Sequence, residues 1–222
     1  MEIKAFIFDL DGVITDTAEY HFLAWKRLAD EEGLPFTRED NEQLRGVSRR
    51  ESLIRLLKGR TVPEETMQEY MQRKNDYYVA YLDEITPQDR LPGVTAFLDA
   101  AHAAGLKLGI GSASKNARPV LEKLGLLSMF EVVGDGYSVV NTKPAPDLFV
   151  WVAGGLRVPV EQSVVFEDAE AGVDAAKAAG CYAVGIGGSN INHADLVLPG
   201  LDAARVDNVI TRLKAARTAA AR

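Results

Sequence analysis

Two aspartates, Asp9 and Asp11, stand one residue apart directly after the apolar run from Phe6 to Phe8. Side chains of a strand alternate between its two faces, so both carboxylates are predicted to project to the same side. Gly12 follows them and permits the sharp turn that the end of a strand needs. Because neighbouring acids repel one another and are costly to bury, the pair predicts a bound divalent cation or a nucleophile beside a proton carrier. The alternative is a structural role on a loop.

Two further stretches place phosphate-binding groups after apolar runs. The run from Ser112 to Asn116 follows a predicted strand, where Ser112 offers its hydroxyl and nearby amides beside the N-terminus of a helix. Lys143 precedes the proline-rich run from Pro144 to Pro146, which holds the lysine in place at low entropic cost. A lysine held in this way can neutralise both a carboxylate and a phosphoryl group. The alternatives are an ordinary helix cap and a solvated turn lysine.

Glu167 and Asp168 form a second acidic pair at the end of an apolar strand. Mg²⁺ prefers octahedral coordination by oxygen atoms and usually keeps waters and substrate phosphate among its ligands. Asp9, Asp168 and the carbonyl oxygen of Asp11 are predicted to bind this ion, with Glu167 as a further ligand or as a neighbour of the ligands. Without a cation, like charges about 4 Å apart would cost several kcal/mol at an intermediate dielectric constant.

The composition of the chain argues against several other classes of protein. Its 222 residues are 47% hydrophobic, which is enough for a substantial core, and its net charge of −7 argues against nucleic acid as the main partner. Cys181 is the only cysteine, so no disulfide within the chain is expected. Because the chain enters a strand at once and has no apolar run that could span a bilayer, we expect a cytoplasmic monomer without a membrane partner. The sequence also lacks a Walker A loop, a G-x-G-x-x-G after the first strand and a nucleophile elbow.

The spacing of apolar residues predicts the elements that position these groups. Between Thr17 and Ile85 the apolar residues recur at helical spacing, and no strand is expected. After Pro92 and Gly93 strands alternate with helices, which predicts an α/β fold with a doubly wound, mostly parallel sheet. Ligands of such open sheets bind in the crevice beyond the carboxyl ends of the strands. The loops at that edge are therefore the ones that should carry the site.

Four motifs, in this order along the chain, resemble those of the haloacid dehalogenase superfamily: Asp9-Leu10-Asp11-Gly12, Ser112, Lys143 and Glu167-Asp168. The resemblance implies a catalytic core of residues 1–16 and 87–222 and an inserted helical cap domain of residues 17–86. It also implies that Asp9 is the nucleophile that forms an aspartyl-phosphate and that Asp11 is the general acid and base. Ser112, Lys143 and one Mg²⁺ ion per chain would spread the charge on the transferring phosphoryl group.

The segment from Arg45 to Arg49 resembles the cap loop of the β-phosphoglucomutase family, in which a lysine commonly stands in place of Arg45. Arginine keeps the charge of that lysine but changes the geometry of its donors. By the same resemblance, Thr17 and His21 join the catalytic residues and link cap closure to the position of Asp11. The residues that it assigns to substrate binding are Arg45, Gly46, Val47, Arg49, Lys74, Ala113, Ser114, Lys115 and Asn116.

Simpler roles remain open for these residues. Arg49 can be an exposed helix arginine, Lys115 and Asn116 can belong to an ordinary helix cap, and His21 can be structural. If the resemblance holds, Arg49 and the Ser114 to Asn116 run bind a second phosphate that does not react.

The function that the resemblance implies is the interconversion of β-D-glucose 1-phosphate and D-glucose 6-phosphate. β-Glucose 1,6-bisphosphate would serve as primer and intermediate, and small-molecule sugar phosphates would be the partners. A sugar-phosphate phosphatase on the same fold is the enzymatic alternative. A catalytically silent module that binds phosphorylated sugars is the alternative from outside the enzymes.

Overall fold

The strands of this chain pair in one parallel sheet. The computed structural model describes residues 2–44, 46–187 and 190–220. Its strands are β1 (Ala5–Phe8), β2 (Lys107–Gly111), β3 (Val132–Gly134), β4 (Ser163–Glu167), β5 (Tyr182–Ile186) and β6 (Leu196–Leu198). Within the described residues the strand order is β3-β2-β1-β4-β5-β6 and every pairing is parallel. The predicted doubly wound α/β fold is therefore confirmed.

Helices connect the strands. Those between β1 and β2 are α1 (Ala18–Glu31), α2 (Arg38–Glu42), α3 (Arg49–Leu57), α4 (Glu64–Leu82) and α5 (Val94–Ala103). Those that follow are α6 (Ala117–Lys123), α7 (Asp147–Leu156), α8 (Glu170–Ala179) and α9 (Val206–Ala220). Single turns of 3-10 helix lie at Pro87–Asp89, Leu127–Met129 and Val160–Gln162. Among the described residues no helix has the length and apolar character that crossing a membrane requires.

Strand β1 lies at the centre of the sheet and is buried along its whole length. Its continuous apolar sequence is typical of a parallel strand that is covered on both faces. Phe6 and Phe8 pack in the core on one face of the sheet, whereas Ala5 and Ile7 pack in the core on the other. The carboxyl end of this strand therefore delivers Asp9 to the middle of the sheet edge where ligands bind.

The turn after β1, rather than the pleat of the strand, directs the second aspartate. Strand β1 ends at Phe8, so the alternation that the sequence predicts does not extend as far as Asp11. Gly12 lies in this turn with a φ of +76°, and a β-carbon there would collide with the carboxylate of Asp168. Glycine is therefore required at this position. Asp9 and Asp11 nevertheless line the same cleft.

Helix α7 packs closely on the sheet because glycines of β2 and β3 leave room for it. A β-carbon at Gly111 would lie 2.7 Å from the ring of Phe149, and one at Gly134 would lie 2.6 Å from a methyl group of Val152. Both separations are far below van der Waals contact, so a larger residue would push the helix away. Since α7 directly follows the loop of Lys143, this close packing helps to position the lysine.

The helices between β1 and β2 contain a hydrophobic cluster of their own. It includes Trp25 and Leu28 of α1, Leu53 of α3 and Met67 of α4. Tyr78, near the end of α4, packs instead with the core of the sheet. Helix α4 therefore belongs to both packing units and connects them.

Helix caps set the first turns of α2 and α3. Thr37 and Asp40 form the full reciprocal capping box at the start of α2. Ser48 caps α3 by accepting a hydrogen bond from the Glu51 amide at 3.2 Å. Ser48 and Glu51 have the spacing of a capping box, but only half of it forms, because the Glu51 carboxylate accepts a hydrogen bond from Arg55 at 3.0 Å. The Ser48 cap places Arg49 in the first turn of its helix.

Candidate active site

A cleft of about 850 Å³ lies between the carboxyl edge of the sheet and the helices that follow β1. Most of the site residues predicted from the sequence line it: Asp9, Asp11, His21, Gly46, Val47, Arg49, Lys74, Ser112, Ala113, Ser114, Lys115 and Asp168. Four others contact residues around the cleft without being among its lining residues: Thr17, Asn116, Lys143 and Glu167. The predicted sugar contact Arg45 lies outside the described residues.

At the floor of the cleft, the ammonium group of Lys143 is buried between two carboxylates. Its Nζ donates a hydrogen bond to Asp9 Oδ1 at 2.6 Å and another to the carboxylate of Glu167. Burial disfavours the ammonium form, but the charges of Asp9 and Glu167 outweigh it and raise the pKa of Lys143 above its ordinary value. Burial raises the pKa of Glu167 to about 7, although the charge of Lys143 acts in the opposite direction. Lys143 therefore stays charged beside Asp9.

The carboxylates of Asp9, Glu167 and Asp168 can hold a metal ion. One ligand oxygen from each lies within 4.8 Å of the other two. Lys143 brings one positive charge to this group, so three ionised carboxylates would still leave it negative. Hard oxygen donors with excess negative charge suit Mg²⁺. The residues present therefore fit the predicted ion, and the predicted contribution of Asp11 is limited to its carbonyl oxygen.

Asp11 is oriented by the start of α1 and the end of α4. The Thr17 hydroxyl donates a hydrogen bond to Asp11 Oδ1, and the Tyr78 hydroxyl lies 3.1 Å from that of Thr17. Because Thr17 uses its proton for Asp11, Tyr78 is the donor in the second contact. Burial and the charge of Asp9 together raise the pKa of Asp11 to about 6. A carboxyl group that titrates near neutral pH can both donate and accept a proton.

A histidine and a buried lysine extend this network along helices α1 and α4. Lys74 Nζ lies 2.7 Å from His21 Nδ1, and since an ammonium group only donates, the ring proton of neutral His21 belongs on Nε2. That Nε2 faces Asp11 Oδ2 at 3.9 Å. The ring of His21 also stacks on Tyr78, with 4.1 Å between the centroids. Desolvation, followed by the charges of Lys74 and Arg49, lowers the pKa of His21 well below its ordinary value.

The upper wall of the cleft is positively charged. Lys74 is 3% exposed and its Nζ lies 5.1 Å and 4.8 Å from the ring centroids of Trp25 and Tyr78. Burial, and then the charge of Arg49, lowers the pKa of Lys74 well below its ordinary value. Burial also lowers the pKa of Arg49. An anion bound here would favour the charged forms of both side chains.

Hydrogen-bond donors converge at the far end of the cleft. Arg49 Nη2 and Asn116 Nδ2 both donate to Asn75 Oδ1, at 2.8 Å and 3.0 Å. Asn75 lies on α4 and Asn116 precedes α6, so these contacts join the two walls. The amide of Asn116 also donates to Ser114 Oγ at 3.2 Å. This end can bind an anion through a guanidinium group, side-chain amides and a hydroxyl.

Sequence reasoning missed several residues of the site. Tyr78 makes the contact with Thr17 described above, and Trp25 and Ser52 line the cleft. Asn75, by contrast, follows Lys74 in a pair that resembles the family. Tyr78 lies four residues after Lys74 on α4, and Trp25 lies four residues after the predicted His21 on α1. Residues at this spacing share a helix face, so examining the position one helical turn beyond each predicted residue would have identified both aromatic residues.

Comparisons with known proteins identify one family. The family model for haloacid dehalogenase-like hydrolases matches residues 3–180. A β-phosphoglucomutase of Bacillus subtilis is 44% identical over 201 residues, which cover 88% of this chain and 89% of the relative. A phosphorylated carbohydrates phosphatase of Thermotoga maritima is 32% identical over 180 residues, which cover 80% of this chain and 82% of the relative.

A solved structure is similar over nearly the whole length. The crystal structure of a β-phosphoglucomutase from Clostridium difficile matches this chain with a TM-score of 0.94 and 39% sequence identity. The match covers 97% of this chain and 99% of that structure. The match therefore includes both the sheet and the helices that cover the cleft.

Mg²⁺ is expected to raise the midpoint of thermal unfolding, because an ion that binds only the folded protein adds about 2.7 kcal/mol of stability at a hundred times its Kd. Asp168→Asn should lose most of this shift, since it removes one carboxylate of the cluster. Asp174→Asn, at an exposed position of α8, is the matched control and should respond as the wild type does. The measurement is thermal unfolding with excess Mg²⁺ and with EDTA. Equal shifts in wild type and Asp168→Asn would contradict the assignment.

His21 is expected to make the protein sensitive to acid. The pKa of His21 is lowered in the folded state, so below pH 6.5 its imidazole takes up a proton in the unfolded chain but not in the folded one. The free energy of unfolding therefore decreases as the pH decreases. His21→Asn, whose amide oxygen can still accept from Lys74, should reduce the slope of unfolding free energy by up to about 1.4 kcal/mol per pH unit. His102→Gln, an exposed histidine on α5, is the control. Urea unfolding at several pH values measures the slope, and an unchanged slope in His21→Asn would refute this role.

Proposed function

We propose, since the chain belongs to the haloacid dehalogenase-like hydrolases, that this enzyme is a β-phosphoglucomutase. In this proposal it interconverts β-D-glucose 1-phosphate and D-glucose 6-phosphate. One observation carries the proposal: the cleft is lined by Asp9, which Lys143 contacts, and also by Arg49, whose guanidinium meets the side-chain amide of Asn116 on Asn75. A sugar that carries phosphate at two positions needs two sets of groups of this kind.

Residues 17–86 act as a cap domain over a core of residues 1–16 and 87–222. The separate hydrophobic cluster around Leu53 supports a cap that moves as one unit. The polar contacts between cap and core include Asn116 to Asn75 at 3.0 Å and Lys123 to Asp83 at 2.8 Å. The contact of Lys123 with Asp83 is exposed and contributes little stability, whereas Tyr78 keeps the end of α4 packed with the core of the sheet. In this proposal the cap opens for substrate and closes over it while that end of α4 stays attached.

Asp9 attacks the phosphorus atom of a bound phosphoryl group. The new bond joins an Asp9 carboxylate oxygen to phosphorus, the bond from phosphorus to the leaving oxygen breaks, and an aspartyl-phosphate results. Lys143, whose Nζ lies 2.6 Å from Asp9 Oδ1, balances the charge of the transferring oxygens together with Ser112. Mg²⁺, held by Asp9, Asp168 and the carbonyl oxygen of Asp11 with Glu167 as ligand or neighbour, would supply further electrostatic stabilisation.

Asp11 transfers the protons. It gives a proton to the sugar oxygen that leaves phosphorus and takes one from the sugar hydroxyl that attacks phospho-Asp9. Its pKa of about 6 supports both roles near neutral pH. Thr17, which donates to Asp11, and His21, 3.9 Å away, keep the carboxyl group oriented.

The reaction cycle transfers two phosphoryl groups in opposite directions. Phospho-Asp9 donates its group to the 6-hydroxyl of β-glucose 1-phosphate, which gives β-glucose 1,6-bisphosphate. This intermediate reorients, its 1-phosphate returns to Asp9, and glucose 6-phosphate leaves. The same bisphosphate primes the unphosphorylated enzyme. The phosphate that does not react binds to Arg49, Ser114, Lys115 and Asn116, and the proposed sugar contacts are Arg45, Gly46, Val47, Lys74 and Ala113.

A sugar-phosphate phosphatase is the second candidate, supported by the 32% identical phosphatase of Thermotoga maritima. The two functions differ only in whether water or a sugar hydroxyl attacks the aspartyl-phosphate. Closure of the cap excludes water and favours the sugar. The greater identity to the Bacillus subtilis mutase, at 44%, favours the mutase.

With Mg²⁺ and bisphosphate primer, the wild-type enzyme is expected to form glucose 6-phosphate from the β anomer of glucose 1-phosphate but not from the α anomer. Asp9→Asn should lose activity by roughly 10⁴-fold or more, because it removes the nucleophile. A coupled assay for glucose 6-phosphate measures both, with the exposed-site variant Asp174→Asn as control. Release of inorganic phosphate without interchange of isomers would establish the phosphatase instead. Full activity in Asp9→Asn would refute the mechanism.

A further inference from the structure

The turn that follows β3 presents an exposed aromatic ring beside the far end of the cleft. Tyr137 is 73% exposed, which is unusual for a large aromatic side chain with no function at the surface. Its backbone is nevertheless well anchored, because the Tyr137 amide donates to Asp135 Oδ1 at 2.9 Å and Ser138 donates to the Asp135 carbonyl at 3.0 Å. The ring is therefore carried on an ordered turn.

This turn is built against the loop that carries the predicted phosphate ligands. The amide of Gly136 donates to the Ser114 carbonyl at 3.1 Å. A β-carbon at Gly136 would lie 2.7 Å from the Ala113 carbonyl oxygen and 2.8 Å from Lys115 Cγ. The two loops can approach this closely only because residue 136 is glycine. The position of Tyr137 is thus coupled to that of Lys115.

The ring of Tyr137 contacts a cation of the far end directly. Lys115 Nζ lies 4.7 Å from the ring centroid, within the range of a cation–π interaction. Tyr137 therefore stands beside one cation of the far end, the Lys115 ammonium group.

We propose that Tyr137 is a positioning residue that holds the Lys115 ammonium for the non-reacting phosphate and so favours doubly phosphorylated sugars. A lysine side chain has four rotatable bonds and loses much conformational entropy when a ligand immobilises it. The ring of Tyr137 restricts Lys115 before the ligand arrives, so less entropy is lost on binding. The inference rests on the proposed function, in which Lys115 binds the phosphate that does not react.

Three variants test this role. Tyr137→Ala should raise the KM for β-glucose 1,6-bisphosphate roughly three- to tenfold and change kcat by less than about twofold, as expected from the loss of one cation–π contact. Tyr137→Phe keeps the ring and should retain the wild-type KM within about twofold. Val140→Ala alters a neighbouring side chain that is 95% exposed and should behave as the wild type.

A double variant tests whether Tyr137 acts through Lys115. In a Lys115→Ala background, Tyr137→Ala should cause no further rise in the KM, because the cation that the ring holds is gone. Independent and multiplicative effects of the two substitutions would overturn the proposal. An unchanged KM in Tyr137→Ala would also overturn it, and so would a Tyr137→Phe variant as impaired as Tyr137→Ala.

The same measurements separate this inference from the proposed function. If the wild type only releases inorganic phosphate from the bisphosphate, the mutase proposal fails, while the KM for that hydrolysis still tests Tyr137 in the same variants. If isomers interchange but Tyr137→Ala matches the wild type, the mutase stands and the role of Tyr137 is refuted.

Discussion

The buried ammonium group of Lys143 is the interaction on which the rest of the site depends. It joins three separate parts of the chain, since Asp9 follows β1, Glu167 ends β4 and Lys143 lies in the loop before α7. Burying such charges is tolerated only when they are paired, and removing one partner costs about 3–5 kcal/mol. The position of Asp9 therefore depends on the parallel order of the sheet and on the close packing of α7. The hydrogen bond from Lys143 positions Asp9 and also compensates for the burial of its charge.

The floor and the upper wall of the cleft have opposite electrostatic characters. Acidic partners raise the pKa of Lys143 on the floor, whereas burial lowers the pKa of both Lys74 and Arg49 in the upper wall. The cations of the upper wall thus lack compensation of the kind that Lys143 receives. A phosphorylated ligand would supply it and would favour the charged forms of both side chains. Lys74 also contacts His21, whose Nε2 faces Asp11, so a ligand bound at this wall would be connected with Asp11.

The floor of the site could be predicted from the sequence better than the upper wall could. Asp9 and Lys143 belong to short motifs beside apolar strands, and in a parallel sheet the carboxyl ends of all strands meet at one edge. The contact of Tyr78 with Thr17 depends instead on how α4 packs against α1, which no pattern along a single helix determines. The bridge that Asn75 makes to Asn116 likewise depends on how α4 packs beside the loop before α6. The orientation of Asp11 also escaped the strand pattern, because a turn beyond the end of β1 sets it.

The most direct test of this account is to identify the residue that carries the transferred phosphoryl group. Wild-type enzyme and the Asp9→Asn variant would be mixed with β-glucose 1,6-bisphosphate and Mg²⁺, quenched rapidly in acid, digested and analysed by mass spectrometry. The account predicts one phosphoryl group on the wild-type peptide that contains Asp9 and none on that peptide of the variant. Turnover with a phosphoryl group on another residue, or with no phosphorylated peptide at all, would contradict it.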